Sequence, residues 1–527
     1  MPIRSHSRTP WRLGARSSKP AAWVRILGFG LALGCFGPPA LGAAASFANP
    51  DRIRYDGQCL TIDDRDVFVF STSFRYFRCP RALWRDRFRR IREAGCNAVE
   101  TVVPWSLRER AAPAGPDDFS KIDHGGLRDW LRMAHDEFGL YTIVRPGPYV
   151  GERDGGGFPP WMPGKRPPDA GSDWLRGELP EFLKWERDWM RAVGPVIAAQ
   201  QVTRRAPGRG GVILVQIEGE YDRFPNIPER ERVPALKALY EDARAAGIDV
   251  PIFSCWTKEC RDSADPVLSQ VFDTITVDHP WKIDETASDL VALEAAQPDA
   301  PPMITELRSG APATVGGAPG GDQGGLVAAQ YNANALLAIQ DGATVINTPL
   351  MFGGADFGRW AARGVPTSTA AAPIGEPDGA APAFAAAAAI GRMLRHYGPE
   401  LVRSRPLLIE VEAGSPDVSV AARVAHSGTL YLFVRNHSAR QGRRGTAAVW
   451  LQGAGELGVN YDLPPLGFRI LRLTAQQQIS GVGGQWLPET APRARRPTRA
   501  HTPAPTGSPM GVRATESAPR AGKAEAR

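Results

Sequence analysis

The chain has 527 residues, 43% of them apolar, enough for one large core or two smaller ones. Its net charge of +7 sits at the ends: residues 1–45 carry six basic and no acidic side chains, 480–527 carry eight basic and three acidic, and the stretch between is net −4. A body that is acidic on balance excludes nucleic acid as an expected partner.

In chain order the first segment is residues 1–45, which read as an export signal. Basic residues run up to Arg25, an 11-residue apolar core follows ("ILGFGLALGCF", 26–36), and Ala43-Ala44-Ala45 fits a cleavage site. Such a core is too short to span a bilayer. The expectation is export to the periplasm or the exterior, with no stable membrane span after cleavage. Five cysteines then remain, Cys59, Cys79, Cys96, Cys255 and Cys260. An odd number cannot pair completely; Cys255 and Cys260 are close enough to close a local loop, and none has zinc-site spacing.

From about residue 66 strand-like and helix-like segments alternate. Apolar strand runs lie at 67–72, 98–105, 141–145, 212–217, 250–254, 272–277, 303–305 and 343–347. Between them, apolar residues recur at three- and four-residue spacing, as in Leu83-Trp84-Phe88-Ile91, Leu127-Trp130-Leu131-Ala134 and the segment 326–339. Eight strands, each followed by a helix, describe an α/β fold, the (β/α)8 TIM barrel, over residues 46–402. Residues 403–475 hold alternating runs such as "TLYLFVRN" and "FRILRL" and predict a small all-β, sandwich-like domain. Residues 476–527 are rich in Pro, Arg, Ala and Thr with little to bury, so a disordered basic tail is expected there.

Active sites of such barrels lie at the C-terminal ends of the strands. The fourth run, "GGVILVQIEGEY", ends in Glu218-Gly219-Glu220, and the seventh, "PPMITELRSG", in Thr305-Glu306. The 86 residues from Glu220 to Glu306 span three βα units. Residues i and i+2 of a strand share a face, so Glu218 and Glu220 are both expected at the barrel mouth, with Glu306 across from them. Carboxylates facing across a cleft suit glycoside hydrolysis, where one acid protonates the leaving oxygen and the other attacks the anomeric carbon. No metal or cofactor is expected: the chain lacks a Gly-x-Gly-x-x-Gly turn after its first strand, a His-Glu-x-x-His helix and a phosphate loop, and it lacks a Gly-x-Ser-x-Gly elbow for serine hydrolysis.

Several stretches resemble glycoside hydrolase family 35, a β-galactosidase family of a retaining clan. They are "SFRYFRCPRALWRDRFRRIREAGCNAVETVVPW" (73–105), "VRPGPYVGERDGGGFPPWM" (144–162), "VQIEGEY", "ITEL", "MFGGADFG" (351–358) and the spacing of 367–378. The resemblance covers residues 53–380 in order. It implies Glu220 as general acid/base, Glu306 as nucleophile and Glu152 as a contact to sugar hydroxyls. Arg78, Trp105 and Glu109 match signature positions, where core packing and ion pairing serve as well as sugar contact. Aromatics expected near the mouth are Tyr149, Trp161, Tyr221, Trp256 and Trp281, with Tyr149 and Trp256 taken as substrate-binding.

The sequence departs from the family near the sugar. Gly219 stands where the family has Asn, Val102 where it has Tyr, Arg308 where it has an aromatic, and Thr369-Ala370-Ala371 where it has Tyr-Asp-Tyr. Arg308 suits a substrate carboxylate or phosphate. The resulting expectation is an exported retaining β-glycosidase acting on a carbohydrate substrate by double displacement. The competing reading is a polysaccharide-binding barrel with little or no turnover. The glycine-rich run 316–325 belongs to the same mouth, as a loop or a lid.

Overall fold

A computed structural model describes residues 52–108, 125–151, 157–165, 175–221, 229–255, 265–277, 282–307, 313–314, 326–349, 367–368, 382–451, 455–480 and 484–488. The eight predicted strands form one parallel sheet. Strand one is Val69–Ser73, two Ala98–Val102, three Tyr141–Gly147, four Gly211–Ile217, five Ile252–Phe253, seven Met303–Leu307 and eight Val345–Thr348. Each pairs with the next, and strand eight pairs with strand one through Val345 and Val69. Strand six comes in two pieces: Val271–Phe272 pairs with strand five, and Ile275–Val277 with strand seven. The ring closes through that broken strand, giving the expected (β/α)8 barrel.

The break at Asp273–Thr274 keeps its polar groups satisfied through side chains. Gln297 accepts from the Asp273 amide at 2.7 Å and donates to the Asp273 carbonyl at 2.9 Å. The Thr274 hydroxyl donates to the Ser254 carbonyl at 3.0 Å. The sequence reads as one strand over 272–277, because the polar pair Asp273-Thr274 is flanked by apolar residues on both sides.

The strands are buried on both faces, which is why they read as apolar runs rather than alternating ones. Helices cover the outside with their apolar stripes. Trp84–Glu93 buries Trp84, Phe88 and Ile91, and Gly125–Arg132 buries Leu127, Trp130 and Leu131. Each such large side chain contributes about 1.5–3 kcal/mol of burial. Gly95, at φ +93°, and Gly391, in helix Pro382–Leu401, let two helices meet: a Cβ on Gly391 would stand 2.1 Å from the Ala94 carbonyl oxygen.

A three-stranded antiparallel sheet precedes the barrel: Ile53–Tyr55, Leu60–Ile62 and Arg65–Val67. The Gln58 carbonyl accepts from Thr344, just before strand eight, at 2.6 Å, and Arg52 donates to the Arg205 carbonyl, ahead of strand four, at 3.1 Å. This sheet therefore covers the N-terminal end of the barrel and leaves the opposite end for chemistry.

After the last barrel helix come two antiparallel sheets. The five-stranded one runs Arg405–Leu407, Val418–Val424, Leu430–Asn436, Phe468–Leu473, Gln485–Leu487 in spatial order, and the three-stranded one Glu410–Glu412, Arg443–Leu451, Gly455–Leu463. Leu430, Leu432 and Val434 join Val449, Val459 and Leu463 in the sandwich core, while Tyr431 and Phe433 join the barrel core. The larger sheet thus has two buried faces. Its last strand lies beyond residue 475, where the composition suggested nothing to bury; Leu487 is buried in the barrel core and Trp486 packs on the sandwich. Among the described residues no helix is long and apolar enough to cross a membrane.

Candidate active site

At the C-terminal ends of the strands the barrel interior turns from apolar to charged. Arg145 on strand three, Glu100 on strand two, Gln216 on strand four and Glu306 on strand seven all point inward and are buried. One nitrogen of Arg145, Nη1, donates to Glu306 Oε1 at 2.8 Å and stands 3.7 Å from Glu100 Oε1. Arg145 Nε donates to Gln216, whose amide nitrogen lies 2.9 Å from Cys255 Sγ. Burial pulls the Arg145 pKa down, but the charges of Glu100 and Glu306 more than offset it, so the guanidinium stays protonated.

Glu100 is held from the other side as well. Arg75 donates to it at 2.8 Å, Ser73 donates a short hydrogen bond, and Asn347 on strand eight reaches it at 3.5 Å. Two guanidiniums therefore face two carboxylates in a closed array across the barrel. Glu306 is the member of that array with an open edge: 10% of its side chain reaches solvent, against 1% for Glu100.

The expected sharing of one face by Glu218 and Glu220 does not hold. Strand four ends at Ile217, and Glu218 and Glu220 take left-handed conformations at φ +53° and +69°. Non-glycine residues rarely adopt that region, and such strain gathers at functional sites. The chain turns at Glu218, so strand alternation no longer governs direction. Glu218 is fully buried and takes a hydrogen bond from Arg176 Nη2 at 2.5 Å. Burial pushes its pKa up to about 7; Arg176 opposes the rise and the Glu220 charge adds to it. Glu220 is only partly buried and keeps a route to a ligand at the mouth.

Tyr149 lies beside Glu220 and hydrogen-bonds it, its hydroxyl kept protonated first by burial and then by the Glu220 charge. The Arg176 guanidinium lies 3.7 Å from the centre of the Tyr149 ring and donates to the Gly219 carbonyl at 3.0 Å. One face of Tyr149 is therefore covered, and its polar edge rather than its ring is what meets Glu220. Tyr221 is buried and donates to the Arg176 carbonyl. Trp105 stacks on Trp189 at 5.4 Å, and Trp161 packs edge-on against Trp185 at 5.2 Å, so both belong to an aromatic cluster of the core.

Of the residues expected in the site, Glu220, Glu306 and Tyr149 are placed at the C-terminal end of the barrel. Glu152, Trp256 and Arg308 lie outside the described residues, as do Glu109, Cys260, Trp281 and the segments 316–325, 351–358 and 369–371. Cys255 is buried. Sequence reasoning passed over Arg145, Glu100, Arg75 and Arg176. A signal for the first two was present: each is a charge inside an otherwise apolar strand run, in "YTIVRPG" and "NAVETVV".

The sequence profile described as Glycosyl hydrolases family 35 matches residues 59–387. A β-galactosidase from Pongo abelii is 32% identical over 206 residues, covering 39% of this chain and 28% of that protein. The probable β-galactosidase E of Aspergillus fumigatus is 32% identical over 208 residues, or 38% of this chain and 19% of its own length. An exo-β-D-glucosaminidase from Pyrococcus horikoshii is 31% identical over 191 residues, or 33% and 24%. The chain thus spans between 19% and 28% of the length of these curated relatives. The profile match is far longer. It begins in the N-terminal sheet, passes through all eight barrel strands and ends in the last barrel helix, more than half of the chain. A shared short motif cannot produce a match of that extent, and the chain is a member of glycosyl hydrolases family 35.

Proposed function

We propose that this protein is an exported glycoside hydrolase that cleaves terminal β-linked sugars with retention of configuration. The observation that carries the reading is the buried array around Glu306. Arg145 favours an ionised carboxylate at the C-terminal end of strand seven, and that carboxylate alone in the array has an open edge. An ionised, desolvated, oriented carboxylate is what a nucleophile at an anomeric carbon requires.

In the first step a Glu306 oxygen bonds to the anomeric carbon while the bond to the leaving oxygen breaks. Glu220 gives its proton to that oxygen. In the second, Glu220 takes a proton from water, the water oxygen bonds to the anomeric carbon, and the ester to Glu306 breaks. Glu218 carries a protonatable carboxyl too, but it is sealed from solvent and bonded to Arg176, so exposure favours Glu220 as the acid. Tyr149 orients the Glu220 carboxyl. Glu152, Arg308 and Trp256 complete the proposed sugar site, and residues 1–45 direct export.

The names of the relatives favour β-galactosides or β-glucosaminides as substrates. Gly219 leaves the floor beside Arg145 without a side chain: a Cβ there would lie 3.5 Å from Arg145 Nη2.

The test is release of an aryl alcohol from β-galactoside, β-glucoside, β-glucosaminide, α-arabinoside and β-glucuronide substrates. At least one is expected to be hydrolysed, with a first product that keeps the anomeric configuration of its substrate by proton NMR. Glu306→Gln is expected to lower kcat on the order of 10³-fold or more. Hydrolysis undiminished in Glu306→Gln, or a first product of inverted anomeric configuration, overturns the assignment.

A further inference from the structure

The open edge of the β domain, away from the barrel mouth, holds a second site. A cleft of about 520 Å³ there is lined by Arg444, Thr446, Asn460, Tyr461, Arg469 and Trp486, among others. Register places the lining. Arg469 pairs with Val434 and Trp486 with Leu471, and directly paired residues share a face. Val434 and Leu471 belong to the sandwich core, so Arg469 and Trp486 also sit on the face that looks at the second sheet.

An arginine at an inward register position needs an anion. Among the described residues Arg469 has none: no carboxylate pairs with it, and its buried Nε has no hydrogen-bond partner. Its guanidinium lies 5.2 Å from the centre of the Trp486 ring, which fixes its plane. Burial pulls its pKa down with no carboxylate to offset the pull. The other cation of the cleft, Arg444, is already engaged, its Nε donating to Asp462 at 3.0 Å. One positive charge is left over, beside an indole that is only partly buried.

We propose that this cleft is a non-catalytic site for a carboxylated sugar unit of an acidic polysaccharide. The Arg469 fork takes the carboxylate in a charge-assisted pair, and the exposed part of the Trp486 ring takes the apolar side of the sugar. The preference for an anion stands on Arg469 alone; the choice of a sugar as its carrier draws on the glycosidase reading. Binding here holds a polymer near the barrel without entering the reaction.

The experiment is calorimetric titration of the full chain with a galacturonate trimer, a neutral galactose trimer and sodium acetate. The acidic trimer is expected to bind about tenfold or more tightly than either of the others, as a charged hydrogen-bonded pair plus a stacked ring requires. Arg469→Gln is expected to lose that advantage, about tenfold or more, and Arg469→Lys, which keeps the charge but not the fork, to fall between. Glu306→Gln is expected to bind as the wild type does, and Arg469→Gln to hydrolyse small aryl glycosides at the wild-type rate. The proposal is overturned if the neutral trimer binds as well as the acidic one, if acetate does, if Arg469→Gln binds undiminished, or if Glu306→Gln abolishes binding. Failure of the glycosidase reading shows separately, as intact aryl glycosides beside undisturbed, Arg469-dependent binding.

Discussion

Arg145 serves two carboxylates through one nitrogen, and its removal takes a cation from both, leaving Arg75 beside Glu100. A buried pair broken from one side costs about 3–5 kcal/mol, because the remaining charge stays in a poor solvent. Arg145→Met is therefore expected to lower unfolding free energy by about that amount, read by urea denaturation, and Arg145→Met with Glu100→Gln to recover part of it. Additive losses in the double variant would mean that Glu100 draws its support from Arg75 and Ser73 alone. The ends of the array differ in how plainly the sequence declares them. The place of Glu306 and Glu220 at the barrel mouth is legible because each follows an apolar strand run, in stretches that resemble the family's motifs. Glu100 and Arg145 are less so, because their partners come from strands one, seven and eight and meet only when the ring closes. Glu218 misled for a third reason: two-residue alternation holds only while the backbone is extended, and it stops being extended at Ile217.

Elements carry a pH dependence of their own. His135, in the turn after helix Gly125–Arg132, is buried with Nδ1 3.2 Å from Gln200 and Nε2 3.0 Å from Thr142 on strand three. Burial lowers its pKa from 6.5 to about 3. Between those values the unfolded chain binds the proton and the folded one does not, so stability falls as pH drops from 6.5 toward 3. The slope from this group approaches about 1.4 kcal/mol per pH unit. His135→Gln is expected to flatten the decline in denaturation series at pH 7.5, 5.5 and 4.5; equal slopes for both proteins would remove His135 from the account. Strand positions were mostly readable, since buried parallel strands are apolar runs bounded by turns. Their ends were not: strand five is Ile252–Phe253, shorter than the run that announced it, and strand six is cut at Asp273. Both ends are decided by side-chain hydrogen bonds from distant residues, which leave no periodic trace.

At the scale of the molecule the barrel and the β domain share a structural wall. Asn332 donates to the Phe468 carbonyl at 3.0 Å, Arg435 pairs with Asp284 at 2.9 Å, and Arg472 pairs with Glu400 at 3.0 Å. These polar ties surround the apolar contact made by Tyr431, Phe433, Phe468, Ile470 and Leu487. A chain ending at residue 402 would expose that surface, so it is expected to be insoluble or to bind a hydrophobic dye, while the longer protein unfolds in one cooperative transition by calorimetry. A soluble, dye-negative barrel would show that the wall is dispensable.

Strand Leu430–Asn436, buried along all seven residues, is where this wall is thinnest in sequence and most committed in space. Its odd-numbered side chains from Tyr431 to Phe433 answer to the barrel and its even-numbered ones from Leu430 to Val434 to the sandwich. Inheritance by shuffling is thereby restricted. A recombination point at the compositional joint near residue 403 would set the barrel-facing half of that strand against a stranger's surface, and chimeras between relatives should survive only when that face and the barrel travel together.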